Sequence, residues 1–247
     1  MGTMIVYTLA AATFMTGCMA QPKPATPVSY TFAYNIPKAA AQPLPVTIAL
    51  VRPSFADPAA FAQSPHAREA GSAFVSSMKS DLEKMLVAKG FKVTGAYDSI
   101  DIMTFPDKRT ADLTLTPIVD VRATEQVTNK STGIGNPLFP YQAQEGVYVV
   151  SGWISLVMLE PLTGEKIWIK RIEVSPVQEG FVWNYQLVQR GNQVVTHTLE
   201  DTRGHSVAAA LSKIYPKVMQ TTWDYFHPDE VLLMKKQAEE ARKLKRY

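Results

Sequence analysis

Residues 146–161 read GVYVVSGWISLVMLEP, and the run is apolar on both of its alternating faces. A strand with one face in water alternates apolar and polar residues. One that is apolar on both sides is covered on both. The chain is therefore expected to build a sheet with this strand inside it. The elements that cover the strand must come from elsewhere in the sequence.

They can be picked out by period and by punctuation. VTIALV (46–51) is a short, β-branched buried strand. Residues 64–90 carry helix signals at both ends: Ser64 as cap, Pro65 at the first helical position and Gly90 as stop, with Phe91 placed to pack back over the last turn. Phe74, Met78, Leu82 and Met85 form its apolar stripe. FKVTGA (91–96) reads as a strand, and DLTLTPIVDV (112–121) as another whose Pro117 predicts an edge or a bulge. After the long strand, PLTGE turns the chain into KIWIKRIEV (166–174) as a hairpin. GFVWNYQLV and QVVTHTL, joined by RGN, form a second hairpin with Phe181, Trp183, Tyr185 and Leu187 on one face. A helix follows, with Val207, Leu211, Ile214, Val218 and Trp223 on its buried side and Pro216 as an expected kink. The last helix opens at Pro228 with acids in its first turn and has a thin stripe of Met234, Ala238, Ala241 and Leu244. This order predicts an α+β fold: a two-layer α/β sandwich, mostly antiparallel sheet with helices packed on one face, plus a C-terminal helix.

The two ends carry the address and the charge. MIVYTLAAATFM (4–15) is uncharged and about a dozen residues long, short of the ~20 that span a bilayer as helix, and fits the h-region of a secretory signal. Thr16, Gly17 and then Cys18, the single cysteine, follow it and resemble the bacterial lipoprotein cleavage box. A lone thiol forms no internal disulfide. The resemblance implies that Cys18 becomes the mature N-terminus, carrying diacylglycerol and an N-acyl chain, with membrane lipid as its partner. Two or three acyl chains hold firmly where one binds marginally. Met19 rather than aspartate follows, which in the usual sorting pattern points to the bacterial outer membrane. The expected organisation is a signal peptide over 1–17, a proline-rich tether over 18–45, an α/β domain over 46–227 and a basic helix over 228–247. From Lys235 to Arg246, the six cations Lys235, Lys236, Arg242, Lys243, Lys245 and Arg246 stand against Glu239 and Glu240, giving that segment +4 against +3 for the whole chain. The basic excess is thus a tail, and an exported chain has no expected nucleic-acid partner.

Chemistry is sparse. The four histidines, His66, His197, His205 and His227, show no metal-ligand spacing, and no phosphate loop or nucleophile elbow occurs. No catalytic residue, metal ligand or cofactor beyond the acyl groups on Cys18 is nominated, and no enzyme is expected. Residues 122–145 read as a long loop, and long loops inside compact domains are usually functional or disordered. Leu138, Phe139 and Tyr141 on it, with Trp183 and Tyr185, are the candidate partner contacts.

SLVMLEPLTGEKI (155–167), AALSKIYPKVMQTTWDYF with the basic helix after it, and LVAKGFKVTGAYDS (86–99) together resemble the neuraminyllactose-binding hemagglutinin, or adhesin A, lipoprotein family. The resemblance implies a surface or flagellar-sheath lipoprotein. Two functions follow as expectations. One is a non-enzymatic scaffold or assembly component that contacts other envelope proteins. The other is a surface adhesin for sialylated glycans. Exposed Trp183 or Tyr185 rings beside Asn184 would favour the adhesin, and burial of those rings, with an apolar loop surface left bare, the scaffold.

Overall fold

The computed structural model describes residues 30–37, 42–61, 65–133, 141–190 and 193–245. Helix α1 (Pro65–Ala88) ends as its sequence requires. Gly90 takes φ of 91°, its amide donates to Val87 O, and the Phe91 amide reaches back to Leu86 O, each at 3.0 Å. Both bonds satisfy carbonyls that the last turn would leave open, and Phe91 is buried over them.

The sheet has the order β3-β1-β4-β5-β6-β7, with β2 pairing β4 off that path. Strands β1 (Thr47–Val51), β2 (Ser54–Phe55) and β3 (Lys92–Tyr97) are short and run parallel to their partners. A short helix, α2 (Phe105–Thr110), follows β3, and its Thr104–Asp107 capping box closes the first turn. Strands β4 (Leu113–Gly133), β5 (Tyr141–Leu159), β6 (Lys166–Arg190) and β7 (Gln193–Asp201) are antiparallel and mostly long. The expected fold class is what the chain adopts. Strand β5 sits inside the sheet, between β4 and β6.

Three expectations are corrected. Residues 122–133 and 141–145 are not loop: they continue β4 and β5, and Arg122 through Gly133 pair with Ser151 back to Tyr141. The segments read as two strands at 166–174 and 180–188 are one strand, β6, with Ser175 and Pro176 accommodated where the β5 register shifts between Val150 and Gly152. There Gly152 adopts φ of 141°, and a Cβ on it would lie 2.0 Å from Asp120 O, so only glycine fits. Pro117 lies inside the sheet and not at an edge, falling between the residues that pair β1 and those that pair β2.

Helices α1 and α3 (Arg203–Tyr225) lie on one face over a core that includes Ile48, Leu50, Phe74, Leu82, Leu115, Ile154, Leu211 and Tyr215. Residues 30–37, expected as spacer, dock on these helices. Phe32 is buried against Phe74 and Tyr215, with ring centroids at 5.6 and 5.7 Å. Asp81 accepts from the Tyr34 amide at 3.1 Å and from Tyr215 Oη at 2.9 Å, tying this segment to both helices. Burial raises the Tyr215 phenol, and the Asp81 charge adds to the shift.

Helix α4 (Pro228–Leu244) crosses the ends of the strands. Its buried stripe is Val231, Met234, Ala238 and Ala241. Arg242 pairs through Nε with Glu160, which is fully buried, and donates from Nη2 to Ala111 O at 2.6 Å. Lys235 bonds Asp112 at 3.1 Å and Pro45 O at 2.7 Å. Lys245 reaches Glu165 at 3.3 Å, and Trp168 Nε1 donates to Glu230 at 2.7 Å. The thin stripe understates how firmly this helix is held.

Candidate functional site

Beyond the helices, β4 to β7 run on as a projecting blade. From Phe181 to Arg190, β6 alone extends roughly 30 Å at ~3.3 Å per residue. The face of the blade that continues the core carries Tyr148 and Phe181, whose rings meet at 5.2 Å, and then Trp183 and Tyr185. Alternation puts the last two on one side of β6, and their rings stack at 4.4 Å with 29° between planes. The start of α3 closes over this ledge. Arg203 lays its guanidinium 3.8 Å from the Trp183 ring centre. Both Nε and Nη2 of Arg203 bond Asp201, at 2.9 and 2.7 Å. Burial acts to lower the Arg203 pKa. The Asp201 bonds and charge, with Tyr148 and Glu125 beyond, overcome that and hold it above the ordinary value.

The rest of the rim is polar. Gln144 Nε2 donates to Tyr185 Oη at 3.2 Å, and Tyr148 Oη donates to Glu125 at 2.7 Å. Thr202 accepts the Val182 amide at 2.8 Å and returns its own amide to Val182 O at 3.0 Å, fixing where α3 starts against β6. The buried indole nitrogen of Trp183 has no acceptor among the described residues. The Trp183 ring is covered by Tyr185 and by the Arg203 guanidinium.

Of the nominated contacts, Trp183 and Tyr185 come together. Tyr141 pairs with Gln186, which puts it on the opposite face of the blade. Asn184 also faces away from the ledge and donates to Glu200 at 2.9 Å. Cys18, Leu138, Phe139 and Arg246 lie outside the described residues. The basic tail is not a free cationic surface: Lys235, Arg242 and Lys245 hold α4 to the body, while Lys236 and Lys243 are exposed. Sequence reading missed Arg203, Asp201, Gln144 and Glu125. The only local signal was the Asp201–Arg203 pair just ahead of a helix. No group of three or more His, Cys, Asp or Glu placed to hold a metal occurs among the described residues.

The architecture defines an α+β protein with a curled sheet, helices on one side and a C-terminal helix locked across the strand ends. The chain shares this fold with a solved Helicobacter pylori structure described as a neuraminyllactose-binding hemagglutinin homolog. The TM-score is 0.58 and the identity 16%, over 83% of this chain and 98% of that one. At that identity the likeness speaks to fold, and it agrees with the resemblance read from 86–99, 155–167 and 209–226. A Xanthomonas campestris protein (TM-score 0.38, 12% identity, covering 85% of this chain and 98% of that one) aligns more loosely. So does an Acinetobacter baumannii minor lipoprotein (TM-score 0.27, 11% identity, covering 72% and 93%). No family model matches the chain, and no curated protein matches it.

Proposed function

We propose that this chain is a bacterial outer-membrane lipoprotein, anchored through Cys18, that works by contact with other cell-envelope proteins through its blade. The observation that carries the reading is the blade itself. It projects past the helices with polar, solvated strands at its tip, and its aromatic ledge is spent on internal stacking. Such a surface suits protein contact better than turnover. No helix among the described residues is long and apolar enough to cross a membrane. From Cys18 to Tyr30 the chain has twelve steps, which reach at most about 40 Å. The anchor would thus hold the body within one domain diameter of the lipid.

The second reading, a surface adhesin for sialylated glycans, draws on the description of the Helicobacter pylori neighbour. A sialic-acid carboxylate asks for a guanidinium or a cluster of amide donors. Here the Arg203 guanidinium is already spent on Asp201, and the Trp183 ring is covered by Tyr185 and Arg203.

Photo-crosslinking in intact cells tests the proposal, with the reactive side chain placed at Thr132, Gln142 or Leu187 on the blade and at Glu240 on α4. Protein adducts from the blade positions and none from Glu240 are expected. No blade adducts, together with binding of sialosides that Tyr185→Ala abolishes, would overturn it.

A further inference from the structure

The sheet has free edges, and the chain treats them differently. Soluble proteins blunt an exposed edge with short strands, lysine, proline, bulges or a covering element. Strand β3 is short, carries Lys92, bends at Gly95 with φ of 48°, and loses register against β1 between Ala49 and Leu50. The lower part of β6, which β7 does not reach, carries Pro176 and is capped by α3. There Thr202 binds Val182 through both backbone groups, and Ser206 Oγ donates to Gly180 O. Among the described residues strand β7 is less defended: it has no lysine or proline, and only a bulge at Leu199 and the acids Glu200 and Asp201 interrupt it. QVVTHTLED contains no lysine, arginine or proline, and six of its nine residues are exposed, with Val194 at 68% and Leu199 at 40%. Its only irregularity, between Thr198 and Glu200, leaves Leu199 without an opposite residue on β6.

The sequence of this edge is complementary to itself. Two copies of β7 paired antiparallel about a two-fold axis at His197 overlap over the whole strand. Thr196 then faces Thr198, a favourable cross-strand pair, and Val195 lies opposite the bulged Leu199. Glu200 meets Val194, and Asp201 meets Gln193, so no acid opposes an acid. Sliding the pairing toward the C-terminal end shortens the overlap, and a slide of three residues sets Glu200 against Glu200. Sliding it the other way discards backbone bonds. We infer that β7 is the pairing edge for a second copy of this chain, joining two sheets into one continuous sheet with His197 on the axis. A single strand pair buries less than the ~1,200 Å² of a stable interface. The dimer is therefore weak and concentration-dependent in solution, and it gains from any attachment that confines both copies to one surface.

Cysteine crosslinking of the full chain in a Cys18→Ser background tests this. On the axis, His197→Cys brings two sulfurs onto Cα atoms about 4.5–5.5 Å apart, within disulfide range. Glu200→Cys leaves its two copies about 20 Å apart along the ladder. A disulfide dimer is expected to form under mild oxidation for His197→Cys, at least about tenfold faster than for Glu200→Cys. Mixing Thr196→Cys with Thr198→Cys chains should give the mixed dimer in preference to either homodimer. Circular dichroism of the reduced variants checks that the sheet is intact. Equal rates at 197 and 200, a dominant 200–200 crosslink, or crosslinks from 197 only to a different protein would each overturn the assignment.

Discussion

Replacing Arg242 by methionine keeps the bulk of the side chain at α4 and removes its charge. Glu160 is then left fully buried at the end of β5, with the Thr163 amide still donating and no cation beside it. Breaking a buried ion pair from one side costs about 3–5 kcal/mol, because the remaining charge is cut off from water and has no opposite charge beside it. In a folded body of this size each kcal/mol moves Tm by about 2–4 °C, so a fall of roughly 6–20 °C is expected. The pH dependence is the sharper signature. Burial acts to raise the Glu160 pKa, and the bonds from Arg242 and the Thr163 turn bring it below the ordinary value. In the parent, that depressed pKa contributes stability above the unfolded carboxyl pKa of about 4.3, which is lost as pH falls through the folded value. Without Arg242, burial is less fully offset and the folded pKa rises. The penalty is then present at neutral pH and relieved as protonation removes the buried charge. The gap between parent and Arg242→Met should therefore be wide at pH 7 and narrow toward pH 4. Adding Glu160→Gln to Arg242→Met should restore part of the loss. Urea unfolding across that pH range measures all three chains. A loss below about 1 kcal/mol, the size of an exposed pair, or a gap that does not change with pH, would refute the reasoning.

Gly152→Ala should cost about 3 kcal/mol or more by denaturant unfolding, since the new methyl meets Asp120 O at 2.0 Å on a backbone only glycine favours. Asp81→Ala leaves the Tyr215 hydroxyl without its acceptor, which should lower stability by about 2–3 kcal/mol. It should also speed hydrogen exchange in 30–37. Lys235→Ser should destabilise the fold where Lys236→Ser and Lys243→Ser do not. Equal thermal shifts for all three would mean that the Lys235 contacts to Asp112 and Pro45 add nothing to the docking of α4.

How much could be read from the residues depended on where water is. Helix α1 announced itself because its stripe is buried and Gly90 must turn the chain. The upper half of β4 and the first five residues of β5 were invisible for the opposite reason. ATEQVTNKSTG is solvated, so it carries no apolar alternation, and the ladder with β5 supplies its order. Ser175–Pro176 looks like a break in the sequence, yet β6 continues through it because no strand needs the missing amide there. The docking of α4 was illegible because its charges find partners at Asp112, Glu160 and Glu165, far off in the chain. At the ledge, spacing alone placed Trp183 beside Tyr185. Nothing local showed that Arg203 would arrive over Trp183, since the fold brings it there at the start of α3.

The account stands on a body held at a membrane by the residue that begins the mature chain. Intact-mass and N-terminal peptide mass spectrometry of protein purified from its native membranes tests this directly. The account predicts a terminus at Cys18 carrying a diacylglyceryl thioether and an amide-linked acyl chain, and Cys18→Ser should move the protein from the detergent phase to the aqueous one. A mature terminus downstream of Cys18, or an unmodified thiol on protein that still partitions with membranes, would contradict it.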